Sequence, residues 1–463
     1  MTGSKTNLVL LGSLCLAELC GFLIVFSLYR LTQKPDVYSF LTSRPGLLCL
    51  TASAGLGLSS GVIFHQFRQA SRYRSQVFSL TVAMNLVAVV VTITVGELTL
   101  RLLSRATSDG TKVGNLLLLP REWKKAANHY SELLKKATSQ ETYIIFDRVV
   151  GWTVNPNSHS EDGLSFSSVE GIRSPRVGIS FSNRSVNCRI ALVGDSYTFG
   201  EEVTYEESWG SQLESLLGLD CQVLNFGVPG YGIGQIYLKY LRDVRSWSPN
   251  IVILGFIGHD VLRTMGVYGF LTFPASEVPW PSPRFVLNIE GRLELLNVPL
   301  PFPEEIFTKP SIRALPNIAY DLNYSETEWD RFYWRPLHSS YLFRLVTSVY
   351  PLWEMERQQV SSEEMRAINR KLIHSFIESA SSAGSIPIIV YLPTKEDLRY
   401  YVPLSIKFLN DFGIRYVDLR ACFGEHSAEN LFAAQGHFSA RGNAVVARCL
   451  HEMVTGHLSR MAD

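Results

Sequence analysis

Five short apolar runs constrain the fold more than any other feature of this chain. They are residues 190–193, 221–226, 251–256, 386–392 and 414–419. The runs at 190–193, 251–256 and 386–392 are apolar throughout rather than at alternate positions, which predicts strands buried on both faces, and the other two are mainly apolar. Helical patterns separate the runs. Thr204-Tyr-Glu-Glu207 reads as a capping box that opens a helix to Leu217. Further helices are predicted over 232–247, from Ser361-Ser-Glu-Glu364 to Ala380, over 395–410 and over 439–454. Strands alternating with helices imply an α/β domain with a parallel sheet covered on both faces.

The first run stops at Gly194-Asp195-Ser196. Ligands of such sheets bind outside the carboxyl ends of the strands. A serine hydroxyl there is exposed and becomes a nucleophile when a base lies near. Taken alone, the tripeptide equally fits an ordinary strand-to-turn serine.

The remaining runs reach this edge with their own polar ends. After the second comes Asn225-Phe-Gly227-Val-Pro-Gly230-Tyr-Gly232, a glycine-rich turn that presents backbone N–H groups. After the third comes Gly258-His259-Asp260, and before the last helix comes Gln435-Gly-His437-Phe-Ser-Ala-Arg-Gly442-Asn443. Together these blocks, over residues 189–455, resemble the SGNH (GDSL-type) hydrolase family.

The resemblance implies a flavodoxin-like three-layer sandwich with a central parallel sheet. It also implies catalytic roles for Ser196 and His437, and an oxyanion hole of the Ser196 and Gly227 N–H groups with His259. Asp195 and Asp260 support the motifs. His259 stands where the family usually carries asparagine. The family's aspartate before the histidine is missing, since those positions hold Ala434 and Gln435. Gln435 is the candidate to orient the ring through its amide. A Ser–His dyad steadied by a backbone carbonyl, or an acid recruited from Glu425, Glu429 or Asp418, are the other readings. The missing acid also leaves open an inactive glycan-binding or assembly subunit. No cofactor and no metal is implied.

Composition bears on where such a domain works. Of 463 residues, 46% are hydrophobic and only 18% charged, against about 25% charged in ordinary soluble domains. Three apolar stretches, 8–29, 46–64 and 78–100, each approach the ~20 residues that span hydrocarbon. They predict a transmembrane region over 1–104, with the first helix retained. Glu18 and Asn85 would lie within it, and Glu97 would pair with Arg101 one turn on. Ser53, Gly57 and Gly61 recur at helix-packing spacing. The basic loop of Arg68, Arg72 and Arg74 would face the cytoplasm, putting the carboxyl-terminal bulk on the extracytoplasmic side. The expected partners are the lipid bilayer, a carbohydrate or other O-acylated substrate, and a membrane acyl-donor protein suggested by Glu18. A net charge of +1 gives no reason to expect nucleic acid.

Residues 105–188 read as a stalk with flanking strands: a helical stalk over 102–140 near the membrane, with 116–119 touching its surface, then short strands over 143–181. Residues 264–345 break the strand–helix rhythm and read as a cap over the sheet mouth, with a hairpin turning at Glu290-Gly291. The seven cysteines lack metal-site spacing and leave open a Cys188–Cys221 or a Cys422–Cys449 bridge. The resemblance extends to membrane-bound enzymes that add or remove acyl groups on surface polysaccharides, such as alginate O-acetyltransferases. The expected function is therefore a membrane-anchored serine esterase or O-acyltransferase.

Overall fold

The computed structural model describes residues 75–462 apart from 108–109, 115, 121, 140–141, 183–185, 274–275, 277, 325–331, 350–361, 399–405, 407–408, 411–412 and 425–429. The chain forms two compact units, Met1–Ala126 with Glu326–Met355, and Ala127–Ser325 with Glu356–Asp463.

The second unit holds the predicted sheet. In chain order its core elements are β1 (Cys188–Gly194), α1 (Ser196–Phe199), α2 (Trp209–Leu217), β2 (Cys221–Asn225), α3 (Ile233–Lys239), β3 (Ile251–Phe256), α4 (Gly258–Arg263), α5 (Ser362–Ser382), β4 (Ile386–Tyr391), β5 (Val417–Asp418) and α6 (Ala440–Ala462). The strands lie in the order β5-β4-β3-β1-β2, and every pairing is parallel. That is the flavodoxin-like order, in which the chain reverses its direction of travel beside β1.

Alternating side chains build the two faces. Ala191, Val193, Leu224, Val252 and Leu254 pack with Ile236 of α3 and with Ile368, Leu372 and Phe376 of α5. Ile190, Leu192, Val223, Ile251 and Ile253 pack with Leu213 of α2 and with Val446, Leu450 and Val454 of α6. Both faces are apolar, so β1, β3 and β4 read as largely unbroken runs, while β2 carries Gln222 and Asn225 and β5 is only the half-buried pair Val417–Asp418. Truncating one such buried leucine to alanine costs about 2–5 kcal/mol.

Local chemistry adjusts the predicted boundaries. Glu207 Oε2 accepts the Thr204 N–H at 3.1 Å and closes a turn, while α2 starts later, capped by Ser208. The helix predicted over 232–247 is regular only through α3 and continues as a π turn, Tyr240–Val244. The helix predicted over 395–410 falls largely outside the described residues. Disulfides join Cys188 to Cys221, the paired first residues of β1 and β2, and Cys422 to Cys449. The flanking segment forms two small antiparallel sheets, Ile144–Asp147 with Gly151–Val154 and Phe166–Ser167 with Arg173–Ser174. The insertion contains the hairpin Phe285–Leu287 with Leu293–Leu295, which turns through Gly291 at φ 71°.

The first unit corrects two expectations. Of the helical stalk predicted over 102–140, Trp123–Ser139 is a helix, but Ser104–Thr107, Gly110–Val113 and Leu116–Leu117 form an antiparallel sheet. Its turns use Gly110 and Gly114 at positive φ. Leu118, expected at a membrane surface, is fully buried.

The three transmembrane helices are not supported: among the described residues no helix is long and apolar enough to cross a membrane. Stretches 8–29 and 46–64, with Glu18, Ser53, Gly57 and Gly61, lie outside the described residues. Stretch 78–100 falls within the helix Ser75–Leu103. There Glu97 pairs with Arg101 at 2.7 Å and accepts the N–H groups of Tyr341 and Leu342, capping the helix Tyr341–Val349. Burial opposes its charge, but these donors win and hold its carboxyl below the ordinary value. Among the described residues nothing supports the bilayer or a membrane acyl donor as partners.

Candidate active site

The carboxyl ends of β2, β1 and β3 lie side by side, so the segments carrying Gly227, Ser196 and His259 leave the sheet at one edge. The register pairs Leu192 with Asn225 and Gly194 with Gly255. Asp195 sets the first turn by accepting the Tyr197 N–H at 2.9 Å and capping α1. Ser196 opens α1 and is 4% exposed. A Cβ on Gly194 would lie 2.5 Å from the Gly255 carbonyl and closer still to Thr198, so only glycine lets the turn fold back over β3.

His437 arrives from the other end of the chain. Its turn precedes α6 and is anchored through side chains distant in sequence. Tyr197 Oη donates to the Gly436 carbonyl at 2.8 Å, and its ring stands 5.1 Å from the imidazole. Trp209 N–H donates to Asn443 Oδ1, and Asn443 Nδ2 donates to the Phe438 carbonyl, each at 3.0 Å. The result places His437 Nε2 2.9 Å from Ser196 Oγ.

The acid absent from the sequence motif comes from the serine side. Glu202 Oε2 lies 2.9 Å from His437 Nδ1 and accepts the His437 backbone N–H at 2.9 Å. Its other oxygen accepts the Gln435 backbone N–H at 2.6 Å. Burial opposes ionisation, but the Gln435 and His437 donors outweigh it and hold the Glu202 carboxyl below its ordinary value. The side chain is 11% exposed. Glu202 has φ 66°, a backbone region unusual for a residue with a side chain. Such conformations persist where surrounding structure over-determines them.

Buried Arg173 supplies part of that support. Its guanidinium donates to the Val203 carbonyl at 2.7 Å and to Ser165 Oγ at 2.6 Å, and it stacks on Phe199 at 4.2 Å. Burial pushes its own pKa down, and Tyr143 and Glu201 oppose this. Cation and ring thus bracket the Gly200-Glu201-Glu202 turn.

The other expected residues fall differently. Gln435 contributes its backbone N–H to the acid, and its side chain is exposed rather than serving as the orienting amide. Asp418 is engaged by Arg420, at 2.5 Å from Nη2. Glu425 and Glu429 lie outside the described residues. Gly227 approaches Phe199 so closely that a Cβ would sit 2.5 Å from the Phe199 nitrogen. Its N–H donates to Asn225 Oδ1 at 3.0 Å. His259 sits on the first turn of α4, exposed at the same edge.

Asp195 and Asp260, both fully buried, share Arg263 Nη1 at 3.1 and 2.8 Å. Burial first, then Asp195, push the Asp260 carboxyl well above its ordinary value, against the pull of Arg263. Arg263 also stacks on Phe273 of the insertion at 5.1 Å. Phe273 in turn meets Trp152 edge-on at 6.3 Å.

Among solved structures, this chain is similar to a lipase/acylhydrolase from Enterococcus faecalis, at 13% identity over 58% of this chain and 96% of that one, with a TM-score of 0.30. It is also similar to an acetyl xylan esterase, at 13% identity over 57% and 99%, with a TM-score of 0.30. An acetylxylan esterase from Geobacillus stearothermophilus matches at 12% identity over 58% and 94%, with a TM-score of 0.28. No family model and no curated protein sequence matches the chain.

Sequence reasoning missed Glu202, Arg173 and Arg263. Arg263 carries a signal, because it follows Asp260 by three residues and so shares its helix face. Glu202 carries a weaker one, as one of two carboxylates just after a glycine turn that follows the nucleophile.

Proposed function

We propose that the second unit is a serine acyl-ester hydrolase of the SGNH type, with Ser196 as nucleophile, His437 as base and Glu202 as acid. The observation that carries this reading is the continuous relay from Ser196 Oγ through Nε2 and Nδ1 to Glu202, with both steps at 2.9 Å. Ser196 Oγ attacks the ester carbonyl while its proton passes to Nε2. The tetrahedral intermediate collapses, the ester C–O bond breaks, and Nε2 returns the proton to the departing alcohol. Water then attacks the acyl-serine by the same route, releasing the carboxylic acid and restoring Ser196.

Glu202 fixes the tautomer and stabilises the imidazolium. Replacing such an acid by its amide costs about 10⁴ in kcat in serine proteases. The Ser196 N–H, at the start of α1, faces the developing oxyanion. The Gly227 N–H, which donates to Asn225 Oδ1 at 3.0 Å, joins it by sharing its hydrogen between that oxygen and the oxyanion. One such donor is worth about 3–4 kcal/mol.

An inactive glycan-binding subunit was favoured by the missing acid, and Glu202 removes that motive. Disulfides persist in oxidising compartments, and the Cys188–Cys221 and Cys422–Cys449 bonds support a proposed location outside the cytoplasm. Alkylation of unreduced protein that leaves those four cysteines unmodified supports this placement, and their full modification opposes it.

The catalytic reading is tested with a fluorophosphonate probe and an activated acyl ester. Wild type is expected to be labelled at Ser196 and to release the acid, and Ser196→Ala to do neither. Hydrolysis that persists in Ser196→Ala, or intact protein unlabelled at Ser196, contradicts the reading.

A further inference from the structure

Two neighbouring glutamates serve opposite nitrogens of one imidazole. Glu202 takes Nδ1 together with two backbone N–H groups. Glu201 turns to the reactive side, where its Oε2 lies 3.3 Å from Nε2, the nitrogen that also faces Ser196 Oγ. Its side chain stays 42% exposed, against 11% for Glu202. Among the described residues no backbone or side-chain donor other than His437 reaches its carboxylate. A carboxylate at the open rim of a nucleophile, with acceptor capacity unspent, faces whatever binds there.

The alcohol half of the substrate is what binds there. Its oxygen must sit on Nε2 to receive a proton on leaving. A carboxylate oxygen 3.3 Å from Nε2 is then one hydrogen bond away from a hydroxyl on the next carbon of that alcohol. An ester of a monohydric alcohol has nothing to offer it, whereas an O-acylated sugar with a free neighbouring hydroxyl does.

We propose that Glu201 binds a second hydroxyl of the alcohol moiety, so that the site selects esters of vicinal diols, as in carbohydrates, over esters of monohydric alcohols. This rests on the ester-hydrolase reading and names its substrate class. Hydroxyl-to-carboxylate bonds are charge-assisted and roughly twice as strong as neutral ones. Packing around Glu201, and the nearby Asp195 and Glu202 carboxylates, push its carboxyl up, while His437 and Arg173 draw it down. A donated substrate hydroxyl adds to the second group and favours the charged form. Sites built to bond a substrate hydroxyl reject analogues that lack it, because the protein group is left unpaired.

The test uses a matched pair, the monoacetate of cis-cyclohexane-1,2-diol and cyclohexyl acetate, on the full chain and on Glu201→Ala and Glu201→Gln. Any effect of Glu201 on His437 acts on both esters and cancels in the ratio of their kcat/KM values. Wild type is expected to favour the diol ester. Glu201→Ala should lower that ratio by about 10–100-fold, with Glu201→Gln retaining part of it. A wild type that cleaves both esters without preference, or a ratio that Glu201→Ala leaves unchanged, overturns this proposal alone. A wild type that cleaves neither ester and is unlabelled at Ser196 overturns the hydrolase reading and this proposal with it.

Discussion

The nucleophile turn and the histidine turn meet across 2.9 Å, yet they are built in different ways. Ser196 is placed by its own neighbourhood: Asp195 caps the helix that Ser196 opens, and β2 and β3 flank its strand. His437 is placed by residues more than 230 positions away, through Glu202 on the ring, Tyr197 on the Gly436 carbonyl and Trp209 on Asn443. A locally built turn keeps its geometry through its own sequence. A turn built from a distance is only as well placed as the side chains that reach it. The second kind of construction also lets the acid change its origin, because any carboxylate that reaches Nδ1 serves.

The sharpest way to break this contrast is to remove the distant acid. Glu202→Gln should keep the fold and lower kcat by about 10³–10⁴-fold. Asp418→Asn, in a carboxylate already held by Arg420, should change kcat by less than about twofold. Steady-state kinetics on an activated ester checks both. Equal losses from the two variants would return the acid to the carboxyl-terminal half of the chain.

That prediction rests on a residue the sequence concealed, for a physical reason. The runs at 190–193, 251–256 and 386–392 were legible because burial on both sheet faces leaves a continuous apolar signature, as in β3, where every residue is buried. Ser196 and Gly227 were legible because a strand end and a glycine turn mark the sheet edge, while the role of His437 came from the resemblance of its block. The hairpin at Gly291 was legible from its turn. Glu202 was not, since nothing in local spacing tells which carboxylate will fold onto an imidazole from across the site. Arg173 was hidden likewise: a turn arginine becomes a buried support only when Phe199 and the Val203 carbonyl close on it. The region after Leu103 misled because its polar pattern suited a helix, while the glycines at 110 and 114 turned it into a sheet.

A smaller effect sharpens the same comparison. Tyr197→Phe deletes the bond to the Gly436 carbonyl and leaves the ring beside His437. It should cost about 0.5–1.5 kcal/mol of stability. It should also lower kcat by a few fold, a loss confined to the histidine turn, with Ser196 still labelled by the fluorophosphonate at near wild-type extent. Thermal unfolding and labelling kinetics report the two parts separately. An undiminished kcat would show that the histidine turn holds itself.

The most direct measurement of the proposed triad is a double-mutant cycle on kcat between Glu202→Gln and His437→Ala. If Glu202 acts through the imidazole, adding Glu202→Gln to His437→Ala should cost nothing further, since residues acting as one unit are strongly non-additive. Independent, multiplying losses in the double variant would contradict a Ser196–His437–Glu202 relay.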